Sequence, residues 1–330
     1  MTATHLKPGE VGGRLKREER FRLGPLELSV ALDAREVEAI RRSKPFRYLV
    51  RPAVHRARGA FRAAKHATLG SNGHVAPPAK PLVNSEAPAS PEARKIIDLI
   101  ATHSWYHTIE LPHGVVTPGR VDHRNQLHHY GLPADMTGMR VLDVATFDGF
   151  WAFEFERRGA EVVAIDLAST ADVDKARNWN DAYEELSKPS RLGRGFEISH
   201  ELLGSKVKKE ISSVYDVRPE RLGRFDIVFT SDLLIHLRDP LAAMEAIWGV
   251  TDKVAIFGDV FHPDLEGFKD NALVEFCHSG ASDMWWRPST ACYRFWLRLA
   301  RFSRTEEISR FVLEANFRRP VPKVVFHAYP

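Results

Sequence analysis

Residues 140–151, Arg-Val-Leu-Asp-Val-Ala-Thr-Phe-Asp-Gly-Phe-Trp, set the fold class of this chain of 330 residues. An apolar strand containing Asp143 runs into a tight turn that ends at Gly149. A second apolar strand, residues 161–166, ends in Asp166, 23 positions after Asp143. A strand, a turn, a helix and a second strand with acids at these places are typical of the first βαβ unit of a nucleoside-binding sheet. The stretch therefore predicts an α/β protein with a ligand at the carboxyl ends of its strands.

The two acids suit the two ends of S-adenosylmethionine (SAM). Asp166, at the tip of the second strand, can accept hydrogen bonds from both ribose hydroxyls of an adenosine. Asp143 can hold an ammonium group directly or through water, whereas it would repel a pyrophosphate. Gly149 opens the next helix and is expected to let the ligand approach the backbone closely.

Two alternatives stay open for this stretch. An α/β protein without a ligand can end buried strands with aspartates that cap helices. A dinucleotide site needs a Gly-x-Gly-x-x-Gly turn that admits the pyrophosphate. The corresponding positions here are Ala145, Phe147 and Phe150, with Asp148 between them. Aromatic bulk and another acid in the turn disfavour a phosphate.

From Trp105 to the C-terminus the chain resembles class I SAM-dependent methyltransferases, and it is most similar to the group related to the bacterial tRNA wobble-uridine carboxymethyltransferases. The residues that carry the resemblance are 105–107, 115–119, 143–149, 231–240 and 285–288, and the resemblance covers about two thirds of the chain. It implies a Rossmann-like seven-stranded sheet of order 3-2-1-4-5-7-6 with an antiparallel last strand. A basic N-terminal extension would precede this sheet.

Two departures from the family pattern bear on the cofactor. Ala145 stands where many class I enzymes have Gly, and its methyl group crowds the ligand. The relatives that use a carboxylated SAM carry lysines ahead of the first motif, near the places where this chain has His107 and Asn125. The resemblance therefore implies ordinary SAM as the cofactor.

Length and composition limit the class further. A chain of 330 residues with 44% hydrophobic residues can hold one α/β domain and an extension. Cys277 and Cys292 lack metal spacing and cannot build a disulfide framework, so we expect a reducing cytoplasm. We predict no secretory signal, because no apolar core segment follows the charged N-terminal residues, and no membrane span, because no run of about 18 apolar residues occurs.

Positive charge is concentrated near the N-terminus. Residues 1–90 hold 17 Lys and Arg against 8 Asp and Glu, whereas the net charge of the whole chain is +4. Residues 41–65 contain no acid, and their nine basic side chains alternate with apolar ones. The segment predicts contact with RNA phosphates, with an acidic membrane surface as a peripheral partner, or with an acidic protein. A solvated or poorly ordered arm is the other interpretation.

Proline and glycine divide the chain. We predict a basic N-terminal extension at residues 1–70, a Pro-rich linker at 71–91, an N-terminal helical or cap segment at 92–138 and the methyltransferase domain at 139–330. The linker contains Gly73 and five prolines, a composition that disfavours a packed element. Ser90 is expected to cap a helix that begins with Pro91.

Strands four and five are predicted at residues 225–230 and 254–259. Between strands two and four, Asp216 can accept from the adenine amino group and the Val217 amide can donate to a ring nitrogen. A surface-loop acid is the alternative for Asp216. Ser231 ends strand four, where ligands bind in open α/β sheets. The predicted cofactor-binding residues are Asp143, Ala145, Thr146, Gly149, Asp166, Leu167, Asp216, Val217 and Ser231.

Apolar spacing over residues 233–247 predicts a helix after strand four. His236 would then lie near the carboxyl edge of the sheet, as a general base or a substrate contact. A neutral imidazole can accept the proton that a hydroxyl loses as it attacks a methyl group, although alignment alone can supply much of the acceleration. A histidine that holds a backbone carbonyl is the open alternative.

Aromatic residues flank the predicted core. Trp105, Tyr106 and His107 precede it, and Trp285 and Trp286 follow it. They predict a lid over a cationic sulfonium, with Trp105, His107 and Trp285 as substrate contacts. Packing anchors are the other interpretation. The histidines at 103, 107, 113, 123, 128 and 129 lack the spacing of a metal site, so no metal is predicted.

These features predict a cytoplasmic SAM-dependent methyltransferase. The expected acceptor is an oxygen or nitrogen of a small hydroxylated metabolite or glycan precursor. A tRNA wobble-uridine-modifying methyltransferase stays open because of the resemblance and the basic segment at residues 41–65. A non-catalytic SAM-binding scaffold protein is the third possibility.

Overall fold

The protein is described here from a computed structural model. Side chains are described for residues 90–175, 190–277, 284–317 and 320–330. Outside these ranges the backbone is described for short strands: Glu10–Val11 pairs with Arg14–Leu15, Arg17–Leu23 pairs with Leu26–Leu32, and Leu82–Val83 pairs with Val115–Val116. The predicted basic segment, residues 41–65, lies outside the described residues. The chain divides into two units, Met1–Ala76 and Pro77–Pro330.

A seven-stranded sheet forms the centre of the second unit. The strands are β1 Arg140–Val144, β2 Glu161–Asp166, β3 Lys208–Ile211, β4 Phe225–Ser231, β5 Thr251–Val260, β6 Arg304–Val312 and β7 Pro322–Tyr329. Their spatial order is β3-β2-β1-β4-β5-β7-β6. Strand β7 is antiparallel to both of its neighbours, whereas the other pairs are parallel. The predicted α/β class, strand order and antiparallel last strand are confirmed.

Helices cover both faces of this sheet. They are α1 Pro91–Ile100, α2 Phe150–Arg157, α3 Arg194–Leu203, α4 Pro219–Leu222, α5 Pro240–Val250 and α6 Thr290–Leu299. Side chains of a strand point alternately to opposite faces, so β1 contributes to two cores. Val141 packs in the core that includes α1, α2 and α3, and Leu142 packs in the core that includes α5 and α6.

Short 3-10 turns and one small ribbon complete the second unit. The turns are Pro112–Gly114, Leu127–Tyr130, Thr170–Asp172, Val214–Asp216, Leu234–His236 and Pro263–Phe268. Strand Val274–Phe276 pairs with Trp286–Pro288. No helix in the described ranges has the length and apolar character needed to cross a membrane.

The cap of α1 is as predicted. The Ala93 amide donates to Ser90 Oγ at 3.1 Å, and Pro91 occupies the first turn, where its missing N–H costs nothing. Ile96 and Ile100 are buried on the inner face of the helix. This helix places the segment that follows it against the sheet.

The helix predicted at residues 233–247 starts later than expected. Residues Leu234–His236 form one 3-10 turn, and α5 begins only at Pro240. Asp239 caps α5, because its Oδ1 accepts from the Ala242 amide at 3.0 Å. A proline disfavours helical backbone at the residue before it, and this interrupts the apolar periodicity. His236 therefore ends a short turn instead of lying inside a helix.

Candidate functional site

The turn after β1 has the backbone form of a close-fitting loop. Ala145 (φ 64°), Phe147 (φ 50°) and Gly149 (φ 95°) all adopt left-handed backbone. Each non-glycine residue in this region costs about 1–2 kcal/mol. The Ala145 and Thr146 amides both donate to the Ile165 carbonyl, at 2.9 and 3.1 Å, and tie the turn to β2. Strain held at such a turn is typical of a functional site.

Gly149 is needed for helix packing. A Cβ at this position would lie 2.4 Å from the Phe153 ring and 2.8 Å from the Phe196 ring. These rings belong to α2 and α3. The Cα of Gly149 thus packs against the helices, and its predicted contact with the ligand stays a prediction.

Asp166 organises the turn from the end of β2. Its Oδ2 accepts from the Phe147 amide at 2.8 Å, and its Oδ1 accepts from the Leu167 amide at 2.7 Å. Burial raises the pKa of the carboxyl. Each carboxylate oxygen can accept more than one hydrogen bond, so both stay available to ribose hydroxyls.

Asp143 is buried in β1 with only 1% of its surface exposed. Its Oδ2 has no well-aligned hydrogen bond among the described residues, and neither has the buried Oγ1 of Thr146. Burial raises the pKa of Asp143 to about 7 and the nearby Asp166 carboxylate adds to the rise, whereas the adjacent Thr146 hydroxyl and Ala152 amide oppose it. A buried carboxylate with an oxygen that its neighbours satisfy poorly fits a ligand that supplies donors. The ammonium end of SAM is such a ligand.

Asp148 fastens the segment before the sheet to this turn, and sequence reasoning missed this role. Its Oδ2 accepts from the Tyr106 amide at 2.7 Å and the His107 amide at 3.0 Å. Its Oδ1 lies 3.5 Å from His103 Nε2. The Tyr106 ring lies 5.4 Å from the ring of Phe147, which is 40% exposed. The only sign of this role in the sequence was that Asp148 is an acidic residue inside the turn.

The residues predicted at the adenine end lie in the turn after β3. Asp216 ends the 3-10 turn that follows β3, and its side chain is exposed. The Val217 amide donates to the Val214 carbonyl at 3.3 Å, and its side chain is buried in the core. The predicted donation of the Val217 amide to a ring nitrogen stays a prediction. The contact of Asp216 with the adenine amino group stays a prediction.

Asp259 lies near the end of β5, and His236 lies in the 3-10 turn that follows β4. The Leu234 amide donates to Asp259 Oδ2 at 2.9 Å, and the Val260 amide donates to Oδ1 at 2.8 Å. Burial raises the pKa of Asp259 to about 6, while the charge of Lys323 opposes the rise. Asp259 therefore holds the turn that carries His236.

The indole N–H groups of Trp105 and Trp285 donate hydrogen bonds to backbone carbonyls. Trp105 is buried, and its indole N–H donates to the Ile100 carbonyl at 2.8 Å. The indole N–H of Trp285 donates to the Asp174 carbonyl at 2.9 Å, and its amide donates to the Ile235 carbonyl. These contacts favour the packing interpretation, and Trp105 packs with α1 instead of forming the predicted lid.

His107 is the predicted substrate residue that lies nearest to the turn. Burial lowers the pKa of its imidazole to about 4, so the ring is neutral near pH 7. Its Nδ1 is buried and has no hydrogen-bond partner within the part of the chain that the structure describes. In the same part, no three His, Cys, Asp or Glu side chains are grouped as a metal site would need.

Comparison with curated proteins finds similarity to O-methyltransferases. No family model matches the chain. The ubiquinone biosynthesis O-methyltransferase of Xanthomonas oryzae pv. oryzae (strain PXO99A) is 34% identical over 121 residues, which are 37% of this chain and 42% of the relative. That of Xylella fastidiosa (strain 9a5c) is 30% identical over 145 residues, 44% of this chain and 49% of the relative. The chain spans less than half the length of these relatives.

Two solved structures that match the chain do so at low identity. The N-terminal domain of EvdMO1 with SAH bound is 18% identical, with a TM-score of 0.48, over 72% of this chain and 96% of that one. Magnesium protoporphyrin IX methyltransferase (ChlM) from Synechocystis PCC 6803 with bound SAH is 14% identical, with a TM-score of 0.39, over 59% of this chain and 76% of that one.

The strand order is that of the class I SAM-dependent methyltransferase fold, whose cofactor is SAM. Within that class, the chain is similar to ubiquinone biosynthesis O-methyltransferases over the matched residues. The predicted similarity to wobble-uridine enzymes stays a prediction.

Proposed function

We propose that this chain is a SAM-dependent methyltransferase that acts on an oxygen of a small hydroxylated molecule. The observation that carries the proposal is the buried Asp143 carboxyl group near Asp166, whose Oδ2 has no well-aligned hydrogen bond among the described residues. The strand order reverses between β1 and β4, and open α/β sheets bind ligands at such a switch point. The curated relatives are named O-methyltransferases, which supports an oxygen acceptor.

Some residues of the chain bind the cofactor, and others act on the acceptor. Asp166 accepts from the ribose hydroxyls, and Asp143 holds the ammonium group of SAM, whose sulfonium supplies an electrophilic methyl group. His236 takes the proton that the acceptor hydroxyl loses. Asp259 positions His236, because it accepts from the Leu234 amide at the start of the same turn. The lone cysteines Cys277 and Cys292 support a cytoplasmic location.

Removing the ribose carboxylate tests cofactor binding. Asp166→Ala is expected to weaken the binding of S-adenosylhomocysteine about 30-fold, because two charge-assisted hydrogen bonds are lost. Isothermal titration calorimetry measures this change. The matched control is Glu201→Ala, which removes an exposed carboxylate from α3 and should leave the affinity unchanged. Equal affinities for wild type and Asp166→Ala would contradict the proposed site.

Product formation separates an enzyme from a scaffold. Cell extract incubated with methyl-labelled SAM and wild-type protein should yield a labelled small molecule that mass spectrometry identifies. The Asp166→Ala protein should yield far less of it. A protein that binds S-adenosylhomocysteine yet labels nothing is the non-catalytic scaffold instead.

An RNA acceptor is the second candidate, and the basic residues 41–65 favour it. RNA recognition through this segment predicts that tRNA affinity falls steeply with salt, about 0.7–0.9 in log K per phosphate neutralised for each log unit of salt. Filter binding between about 50 and 200 mM salt measures the slope. Alanines at Arg41, Arg42 and Lys44 should flatten the slope, whereas alanines at the exposed Arg94 and Lys95 of α1 should not. A flat response of the wild type excludes RNA.

A further inference from the structure

The loop after β2, residues 167–175, contacts three other segments at the carboxyl edge of the sheet through Asp174. The Asp174 side chain bonds with Tyr215 and Arg238, and its backbone carbonyl bonds with Trp285. Tyr215 lies in the turn after β3, Arg238 follows the turn after β4, and Trp285 follows β5. We call these four residues the Asp174 tie. The function proposed above leaves the tie unassigned.

The Asp174 carboxylate accepts two hydrogen bonds at one oxygen. The Tyr215 hydroxyl donates to Oδ2 at 2.6 Å, and the Arg238 amide donates to the same atom at 2.7 Å. Burial and the bond to Asp174 raise the pKa of Tyr215, so its hydroxyl keeps its proton and stays a donor. The Arg238 guanidinium lies 5.4 Å from the centre of the Trp285 ring. Hydrogen bonds to a charged acceptor are roughly twice as strong as neutral ones, so the carboxylate is the centre of the tie.

The tie joins the segments that carry the predicted adenine contact and the predicted general base. Tyr215 directly precedes Asp216 in one 3-10 turn. The Trp285 amide donates to the Ile235 carbonyl at 2.7 Å, next to His236 in the turn after β4. A displacement of the tie would therefore move both segments.

The tie spans the end of β1. Strand β1 lies between β2 and β4, and the tie connects the loop after β2 with the segments after β4 and β5. The contacts lie on the α5 side of the sheet, because the Asp239 amide at the cap of α5 donates to the Tyr215 hydroxyl at 3.2 Å. The turn at residues 145–149 leads into α2 on the opposite face. A ligand held by Asp143 and Asp166 would therefore lie between this turn and the tie.

We propose that Asp174 is a positioning residue that retains the bound cofactor by holding the loop after β2 against the segments of Asp216 and His236. The adenosine end then leaves only after the tie opens, so the tie sets the rate of cofactor release. Release of cofactor product is a slow step in many enzymes, and the loops over the ligand control it. This inference rests on the proposed function, because it concerns the same site.

Stopped-flow displacement of S-adenosylhomocysteine by excess SAM tests the tie. Asp174→Ala is expected to raise the dissociation rate about ten-fold, since two hydrogen bonds to a charged oxygen are lost. The association rate should stay within about two-fold, because contact changes act mostly on dissociation. Asp174→Asn should bring the dissociation rate back to within about three-fold of wild type, because the amide oxygen accepts from the same two donors.

A matched control and a second variant complete the experiment. Asp172→Ala removes an exposed acid from the same loop and should leave the dissociation rate unchanged. The urea midpoint of Asp174→Ala should stay close to that of wild type, because the Asp174 side chain belongs to neither core. If Asp174→Ala does not fold, Tyr215→Phe carries the same expectation of faster release.

Two results would overturn the role of Asp174. One is a wild-type dissociation rate in the folded Asp174→Ala or Tyr215→Phe protein. The other is an Asp174→Asn protein that releases S-adenosylhomocysteine as fast as Asp174→Ala does. Failure of the wild type to bind S-adenosylhomocysteine at all would instead overturn the proposed function.

Discussion

Asp143→Asn is expected to stabilise the cofactor-free protein and to weaken its binding of SAM. Burial raises the pKa of Asp143 to about 7, whereas an aspartate in an unfolded chain titrates near 3.9. The folded state therefore holds this proton more tightly. The free energy of unfolding falls as the pH rises from about 4 to about 7, and the loss persists above that range. Asparagine cannot ionise, so the variant does not lose this stability as the pH rises. It should be more stable than wild type by about 1–3 kcal/mol at pH 8.

The same substitution removes the buried counter-charge of the SAM ammonium group. We expect the affinity for S-adenosylhomocysteine to fall about 100-fold or more. Calorimetric unfolding at pH 5 and pH 8 measures the first effect, and the gain should be smaller at pH 5, where the folded protein already carries a protonated Asp143. Titration calorimetry measures the second effect.

Asp226→Asn is the matched control for Asp143→Asn. The ion pair of Asp226 with Lys253 and the hydrogen bond from the Arg140 amide lower the pKa of Asp226, so its charge favours the folded state above the unfolded pKa. This variant should therefore lose stability at pH 8 and bind S-adenosylhomocysteine normally. A less stable Asp143→Asn protein at pH 8, or one with wild-type affinity, would show that Asp143 is not a buried ligand for the cofactor.

Lys323→Met is expected to cause the largest loss of stability, about 3–5 kcal/mol in the free energy of unfolding. Lys323 is the buried cation beside Asp232 and Asp259, and Met would leave their charges without compensation. Urea unfolding measures the change. Lys253→Met is the control, because Lys253 pairs with Asp226 at the surface, where such a pair contributes at most about 1 kcal/mol.

The double variant Lys323→Met with Asp232→Asn should recover part of this loss. Removing both charges of a buried pair is far less costly than removing one of them. If the double variant is as unstable as Lys323→Met, the loss comes from packing and not from an unpaired charge. If Lys323→Met is as stable as wild type, the ion pair does not hold the tip of β4.

Much of the fold could be predicted from local signals. The apolar strand with Asp143, the turn to Gly149 and the strand that ends in Asp166 became β1 and β2 as expected. Strands four and five were also placed correctly, because apolar runs between turn residues determine where a strand forms. The order of all seven strands came from the family resemblance, since residue patterns do not show which strands become neighbours.

The candidate site was less predictable, because it depends on which way side chains point. Gly149 faces α2 and α3, and the Val217 amide bonds within its own turn; neither contact has a signal in the residue types. Pro240 was a sequence signal for a helix that begins at that residue, but the predicted helix followed the apolar periodicity over residues 233–247.

The sequence by itself determined the α/β class, the cap of α1 and the two strand-end acids, because each depends on residues that are close together in the chain. Only the tertiary structure decided that Asp148 holds the backbone of His107, and that Lys323 meets Asp232 from 91 positions away. Those contacts arise when distant segments pack together. Packing sets the distance, burial and partners of every polar atom, and a one-dimensional pattern carries none of the three.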